Sequence, residues 1–420
     1  MQRLRVLAAC LTLAACASEA SDEGDGSELS SDALVEGHGG ITGPVKVEPR
    51  RLVIPREGNE ALLGSAGRVL VGAPQRTVDN PYGFLRRAVS VEALDDRRLA
   101  ITTEDAALGD AVVSGSVHVK HDLEPSAMRL APMSNATSEA RGAGLDISIG
   151  EKTLLDFHTT FHDPTGILPV RDFEVSQVVR LTHAQVRFQP SIDLALSIRA
   201  GKLKTLEATT RGALEASFAV TVDTKTSIDI DRNQAYRETL KGHLRTPAIS
   251  ATLFETKPYI LPAQWIGFVP VIETVRFRVI LECDVDLTSQ THADAGATVK
   301  TSAALGVRYR DNEWQPLEKP TFDGKSTFAM TQRGSLVGSC GLRTDVGFFL
   351  YDLAGPTLSI TPYLDFDVRT SPRGYDFLAT PGIRGAFGGR LQVLGWELLR
   401  QDVVLFNQKS STPLTGSFQL

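Results

Sequence analysis

The chain has 420 residues, with 44 Lys and Arg against 50 Asp and Glu, a formal net charge of −6 and 42% hydrophobic residues. That length suits one to three domains at ~100–200 residues each, and the weakly acidic balance gives no basic footprint for nucleic acid. Beyond the first residues no apolar run reaches the ~20 residues of a spanning helix. The best candidate, 265–281, is broken by Glu273, Arg276 and Arg278.

The chain opens on Arg3 and Arg5 and an apolar run over 6–15, the pattern of a secretory signal peptide. The run ends Leu13-Ala14-Ala15-Cys16, which resembles the lipobox of bacterial lipoproteins. Leu7-Ala8-Ala9-Cys10 is a second match, with almost no apolar run before it. The resemblance implies that 1–15 are removed and that Cys16 becomes the first mature residue, carrying the acyl chains. With Ala17 rather than Asp next, it also implies the outer membrane. Losing Arg3 and Arg5 takes the net charge from −6 to −8. Glu19, Asp22, Glu23, Asp25, Glu28, Asp32 and Glu36 follow with no Lys or Arg up to Gly40. Residues 16–44 are therefore expected to form a flexible acidic tether, too polar to offset the entropy of ordering.

Residues 51–55, 68–72, 84–92 and 97–103 read as short strands. Thr103-Glu104-Asp105 has the composition of a helix N-cap and acidic first turn, which predicts one short helix over 104–111. A strand over 116–121 completes a small N-terminal β module spanning 45–124. The stretch 125–144, rich in Pro, Ser, Asn, Ala and Gly, reads as a connector.

From 145 to 406 the dominant signal is alternation of period 2. Leu214, Ala216, Phe218, Val220, Val222, Thr224, Thr226, Ile228 and Ile230 fall on one face. Glu215, Ser217, Thr221, Asp223, Lys225, Ser227 and Asp229 fall on the other. The pattern recurs over 188–198, 275–287, 297–309 and 358–368. Seventeen residues would span ~58 Å, against ~5–6 residues for an ordinary strand. One polar face argues for antiparallel pairing. The expected fold is all-β: a small β module, then an elongated antiparallel β-sandwich with unusually long strands. Residues 407–420 read as a frayed tail.

Two groups of segments resemble an uncharacterised family of β-rich exported bacterial proteins. The first is Arg68-Val-Leu-Val-Gly72, the run from Asn80-Pro-Tyr-Gly to Val91, and Ile101 to Leu108. The second is Trp265-Ile-Gly-Phe-Val-Pro-Val271, with Gly306-Val-Arg-Tyr309 and Trp314. The resemblance implies export and a module-plus-body organisation, and no activity.

Two cysteines remain in the mature body. Cys283 lies on the apolar side of its strand and Cys340 sits in Gly338-Ser339-Cys340-Gly341. An exported setting permits a disulfide, which would close a loop of ~57 residues worth about 4 kcal/mol in the chain-entropy model. The alternative is two separate buried thiols.

Motifs for chemistry are incomplete. His158 and His162 would share a helix face for zinc, but Thr159 stands where a metalloprotease has its base, and the flanking pattern is a strand, which sets them ~13 Å apart. Asp229, Asp231 and Asn233 imitate the start of a calcium loop, yet Gln234 and Leu240 occupy the positions that need Gly and a carboxylate; Asp284 and Asp286 are a weaker echo. Gly324-Lys325-Ser326-Thr327 lacks the upstream glycine of a phosphate loop, and the Gly382 to Gly389 run lacks dinucleotide spacing. Arg86, Arg87, Arg97 and Arg98 read as solvated edge charges or an anion or polysaccharide patch. Tyr82, Trp265, Trp314 and Tyr363 read as core aromatics or sugar platforms. No catalytic constellation and no cofactor motif is legible.

The expected function is a surface-anchored envelope lipoprotein with a non-enzymatic binding, adhesion or spacer role. It would touch the membrane through its lipid only, with an envelope protein, polysaccharide or lipid as partner. The alternatives are a carrier with an apolar channel between the sheets, an all-β hydrolase acting on polysaccharide, and, as a minor option, a membrane barrel.

Overall fold

Long alternating runs bury one face and wet the other only as antiparallel strands. The computed structural model realises them in three sheets and a hairpin. It describes residues 27–75, 77–123, 137–141, 144–162, 172–188, 191–226, 248–287, 291–310, 313–317, 321–330, 336–352, 355–371, 374–390 and 399–419. Cys16, Asp229, Asp231 and Asn233 lie outside the described residues.

The N-terminal part contains β1 (Glu28–Leu29), β2 (Ala33–Val35), β3 (Lys46–Glu48), β4 (Arg51–Pro55), β5 (Val69–Gly72), β6 (Phe84–Ala93) and β7 (Arg98–Asp105), then α1 (Leu108–Ala111) and β8 (Val112–Asp122). Its six-stranded sheet has the order β2-β5-β6-β7-β4-β3. One face packs Ile41, Leu52, Ile54, Leu70 and Phe84 into a core of its own. The other sends Val69, Val71 and Leu85 into the core of the body. Covering on both faces explains the unbroken Val-Leu-Val of β5.

Two expectations change here. The tether predicted over 16–44 does not hold from Ser27 onward: β1 pairs with β8, β2 runs parallel to β5, and Ile41 is fully buried. Leu34, Val35 and Ile41 supply apolar contacts that the acidic composition masks. The helix predicted over 104–111 shrinks to α1. Strand β7 runs on through Asp105 because Asp105 and Glu104 pair across the sheet with Arg86 and Arg87.

The first long sheet begins with β9 (Thr137–Arg141), β10 (Gly144–Ile149), β11 (Lys152–His162), β12 (Asp172–Phe188), β13 (Ser191–Arg199) and β14 (Lys202–Thr226). β9 occupies part of the expected connector. The alternation over 188–198 is one register carried by two strands laid end to end on β14, with Phe188 opposite Leu214 and Ser191 opposite Arg211. The chain reverses at Ala200–Gly201, whose φ values of 53° and 69° suit the type I′ turn that matches strand twist. β14 has 25 residues, about 80 Å at the usual rise.

The remaining strands are β15 (Ile249–Glu255), β16 (Tyr259–Ile260), β17 (Gln264–Ile266), β18 (Val269–Val271), β19 (Glu273–Leu287), β20 (Thr291–Arg310), β21 (Glu313–Pro316), β22 (Thr321–Met330), β23 (Leu336–Leu350), β24 (Gly355–Ser371), β25 (Gly374–Arg390), β26 (Leu399–Lys409) and β27 (Leu414–Gln419). β20 returns to the first sheet and pairs with β14 over twenty residue pairs. The second long sheet runs β15-β19-β23-β24-β25-β26, with β16 beside β19 and β27 beside β25. The frayed tail expected over 407–420 does not hold for most of that range: β26 runs to Lys409, and Leu414 to Gln419 extend the sheet along β25.

The two long sheets pack face to face. Leu214, Ala216, Phe218, Val220 and Val222 all point into the shared core, as the alternation predicts. From the facing sheet come Phe277, Val279, Leu281, Leu342, Leu364 and Phe366. Phe188 meets Phe277 edge-on at 5.6 Å, and Phe328 lies over Phe377 at 5.2 Å. Between Leu194, Leu196, Leu206 and Phe348 the space left is a cavity of about 20 Å³. Cys283 and Cys340 are bonded as directly opposed residues of β19 and β23, with Cα atoms 4.1 Å apart. The bridge joins neighbouring strands of one sheet, buried beneath its inner face.

Candidate functional site

Residues that oppose one another across an antiparallel sheet point to the same side, so rows of side chains run at right angles to the strands. On the outer face of the second sheet one such row is Ser250, Glu282, Gly341, Tyr363, Gly382 and Lys409, taken from β15, β19, β23, β24, β25 and β26 in turn. The next row is Asp284, Ser339, Asp365 and Thr380. Six strands at ~4.8 Å make a face ~24 Å wide.

The small residues make that face hollow. A Cβ at Gly382 would lie 2.4 Å from the Tyr363 ring, so the ring can lie flat on β25 only because glycine is there. A Cβ at Gly341 would stand 2.9 Å from the Thr361 methyl group. The result is a trough of about 510 Å³ that continues into a second of about 430 Å³, the two sharing Asp284, Ser339, Asp365 and Lys409.

Charges of both signs line it. The Tyr363 hydroxyl donates to Asn407 Oδ1 at 2.6 Å. Lys409 Nζ meets Asp365 at 2.7 Å. That hydrogen bond holds the ammonium above its usual range, and burial does the same for the Tyr363 hydroxyl. Glu282 and Arg384, three strands apart, meet at 3.2 Å across the glycine floor, with Arg343 at 3.5 Å from Glu282. Half-exposed pairs of this kind contribute ~0–1 kcal/mol, so a ligand opens them at little cost. The walls offer a series of donors and acceptors along the trough.

The other candidates are not gathered into a site. His158 and His162 lie on strand β11, and each faces its own carboxylate: His158 Nε2 is 2.9 Å from Asp156, and His162 Nδ1 is 2.8 Å from Asp172. His158 edges an open depression with Glu174, Ser176 and Lys225. Arg86 is buried against Asp105, Arg87 reaches Asp110 at 2.9 Å, and Arg98 reaches Asp95 at 2.6 Å. Arg86 and Arg87 lie on β6 opposite the last residues of β7, whereas Arg98 opens β7, so they form no common patch. Gly324 to Thr327 belong to β22, an antiparallel strand. Asp284 lines the trough. Of the aromatics, Tyr363 reaches it, while Trp265 is exposed on the β17–β18 hairpin. No group of three or more His, Cys, Asp or Glu is placed to hold a metal among the described residues.

One ionisable group was not legible in the sequence. Glu273 opens β19 with both carboxyl oxygens buried and without a hydrogen-bond partner, beside the small cavity under Phe348. Burial pushes its carboxyl up to about 8. Its neighbours in sequence, Ile272 and Thr274, give no sign of this; the signal is only that an acid interrupts the apolar run 265–281.

No protein-family model matches the chain, and no curated protein and no solved structure is significantly similar to it.

Proposed function

We propose that this chain is an exported lipoprotein, anchored at the outer membrane through Cys16, whose β body is a non-enzymatic binding module for an extended, hydroxyl-rich polymer of the cell envelope. The trough on the second sheet carries the reading. It is long enough for several sugar rings, floored by Gly341 and the Tyr363 ring, and lined by Glu282, Arg384, Asp365, Lys409 and Asn407. Carboxylates and guanidinium groups that pair weakly with each other can each bond two hydroxyls instead. The carrier alternative draws less support, because Phe188, Phe277 and their neighbours occupy the space between the sheets.

The test is retention on immobilised envelope polysaccharide. The mature protein should be retained, and Arg384→Ala should weaken retention at least tenfold without lowering the unfolding midpoint. Failure to bind any envelope polysaccharide, or equal binding by the variant, overturns the reading. Mass spectrometry of the N-terminal peptide tests the anchor separately: the mature chain should begin at Cys16 with acyl groups attached.

A further inference from the structure

The β17–β18 hairpin carries a feature that the polymer-binding site does not use. Residues 262–272, Pro-Ala-Gln-Trp-Ile-Gly-Phe-Val-Pro-Val-Ile, contain no ionisable group. The hairpin pairs Ile266 with Val269 around a two-residue turn, Gly267–Phe268. Ile266, Val269 and Val271 are buried and fasten it, with Ile266 seated over Gly115, and the Tyr351 hydroxyl donates to the Pro270 carbonyl. Held on that base, Trp265 and Phe268 are 52% and 56% exposed. A rigid hairpin with two large, half-exposed apolar rings at its tip, Phe268 stacked by one face on His38 at 4.2 Å, calls for a partner.

The position of the chain's N-terminal segment says which partner. Gly267 adjoins Ser27 and Leu29: a Cβ on it would lie 3.3 Å from Ser27 Oγ and 3.4 Å from a Leu29 methyl group. The chain therefore enters the body beside the hairpin tip. Between Cys16 and Ser27 there are ten residues, and the eleven steps reach at most ~40 Å. If Cys16 is lipidated, the tip stands within that distance of the bilayer. Trp is the residue most suited to the membrane–water interface, with an apolar ring system and a polar N–H.

We infer that Trp265 and Phe268 form a second membrane contact, inserting at the headgroup level of the bilayer that holds the acylated Cys16. The inference rests on the lipoprotein reading. A second contact beside the acylated residue adds apolar burial to that of the acyl chains. It also fixes which end of the long body faces the membrane, which a lipid on a length of chain does not.

The test uses the full mature protein in vesicles of phosphatidylethanolamine and phosphatidylglycerol, with Trp314→Phe and Trp396→Phe leaving Trp265 as the only indole. Lipids brominated near the headgroup should quench Trp265 at least twofold, more than lipids brominated deep in the chains, and Phe268→Ser should halve the effect or more. In cells, a photo-crosslinking benzoyl-phenylalanine at position 268 should capture lipid; this needs one exposed substitution and does not depend on the tryptophan replacements. Acylated Cys16 with an unquenched Trp265 overturns the inference and leaves the anchor reading intact. Quenched Trp265 in protein that carries no acyl group overturns the anchor reading and leaves the hairpin contact standing. Crosslinks to another protein or to a second copy, with no quenching, overturn the membrane assignment of the hairpin.

Discussion

The outer faces of the two long sheets solve the same problem in opposite ways. On the first sheet a row crosses four strands as Asp146, Arg187, Glu215 and Lys300, each charge meeting the next at 2.8–3.5 Å. Along this row full-length side chains of alternating sign fill the surface and satisfy one another; the open depression beside His158 lies elsewhere on the same face. The corresponding row on the second sheet has glycine on either side of Tyr363, at Gly341 and Gly382. Side chains there reach over gaps instead of lying against neighbours, and a hollow results. A flat, self-paired face offers a ligand little; a hollow face with weakly held charges offers a site. The same amino-acid types thus make a solvated wall or a trough according to whether small residues interrupt the row.

This contrast can be broken at its base by testing whether the inner faces are equally filled. Phe218→Ala on the first sheet and Phe277→Ala on the second should each cost ~3–5 kcal/mol, read as a sharply lowered denaturation midpoint. A small effect at one of them would mean that its side of the sandwich is under-packed. Replacing Cys283 and Cys340 by Ala should cost ~2–5 kcal/mol, although the bridge joins strands that are already paired.

Glu273 sharpens the comparison within β19, which opens on an isolated acid and carries the disulfide further along at Cys283. An ordinary glutamate titrates near ~4.3 in the unfolded chain, and the folded one at about 8. Between those values the folded state holds one more proton than the unfolded state. Stability is therefore fully present below about pH 4.5 and declines by ~1.4 kcal/mol per pH unit up to pH 8. Urea titrations should show that slope in the wild type and its loss in Glu273→Gln, which becomes the more stable protein at pH 8.

On the outer faces the expected changes are smaller. Gly382→Ala forces the Tyr363 ring off β25 and breaks its bond to Asn407, at ~1–3 kcal/mol. Thr221→Ser on the first sheet keeps the hydroxyl that donates to Asp294 at 2.6 Å and should cost ~0.5 kcal/mol or less. Equal effects would mean that the glycine floor is no more constrained than the charged wall.

The first sheet was the more legible of the two. Leu214 to Thr224 alternate with Ala219 the one apolar residue on the polar face, so period, face and antiparallel pairing all follow from the residues. The run over 188–198 kept its register through the change from β12 to β13, because register belongs to the paired strand β14. The second sheet hides its outer face. For Gly338 and Gly382 nothing local tells a glycine that bulges a strand from one that makes room for the ring of the opposed residue, Phe366 or Tyr363. The trough depends on which residues stand opposite one another across six strands, and that is a property of register. Acid content concealed β1 and β2 in the same way: Leu34 and Val35 are too few to show a period, and their partner is β5, far along the chain.

The central claim is that the hollow face binds and the paired face does not. Calorimetric titration of purified envelope polysaccharide into the mature protein tests it, with Glu282→Ala/Arg384→Ala as the trough variant and Glu215→Ala/Lys300→Ala as the matched variant on the first sheet. The account predicts at least a tenfold loss of affinity in the first double variant and wild-type affinity in the second. Equal affinity in both, or loss only in the variant of the first sheet, would contradict it.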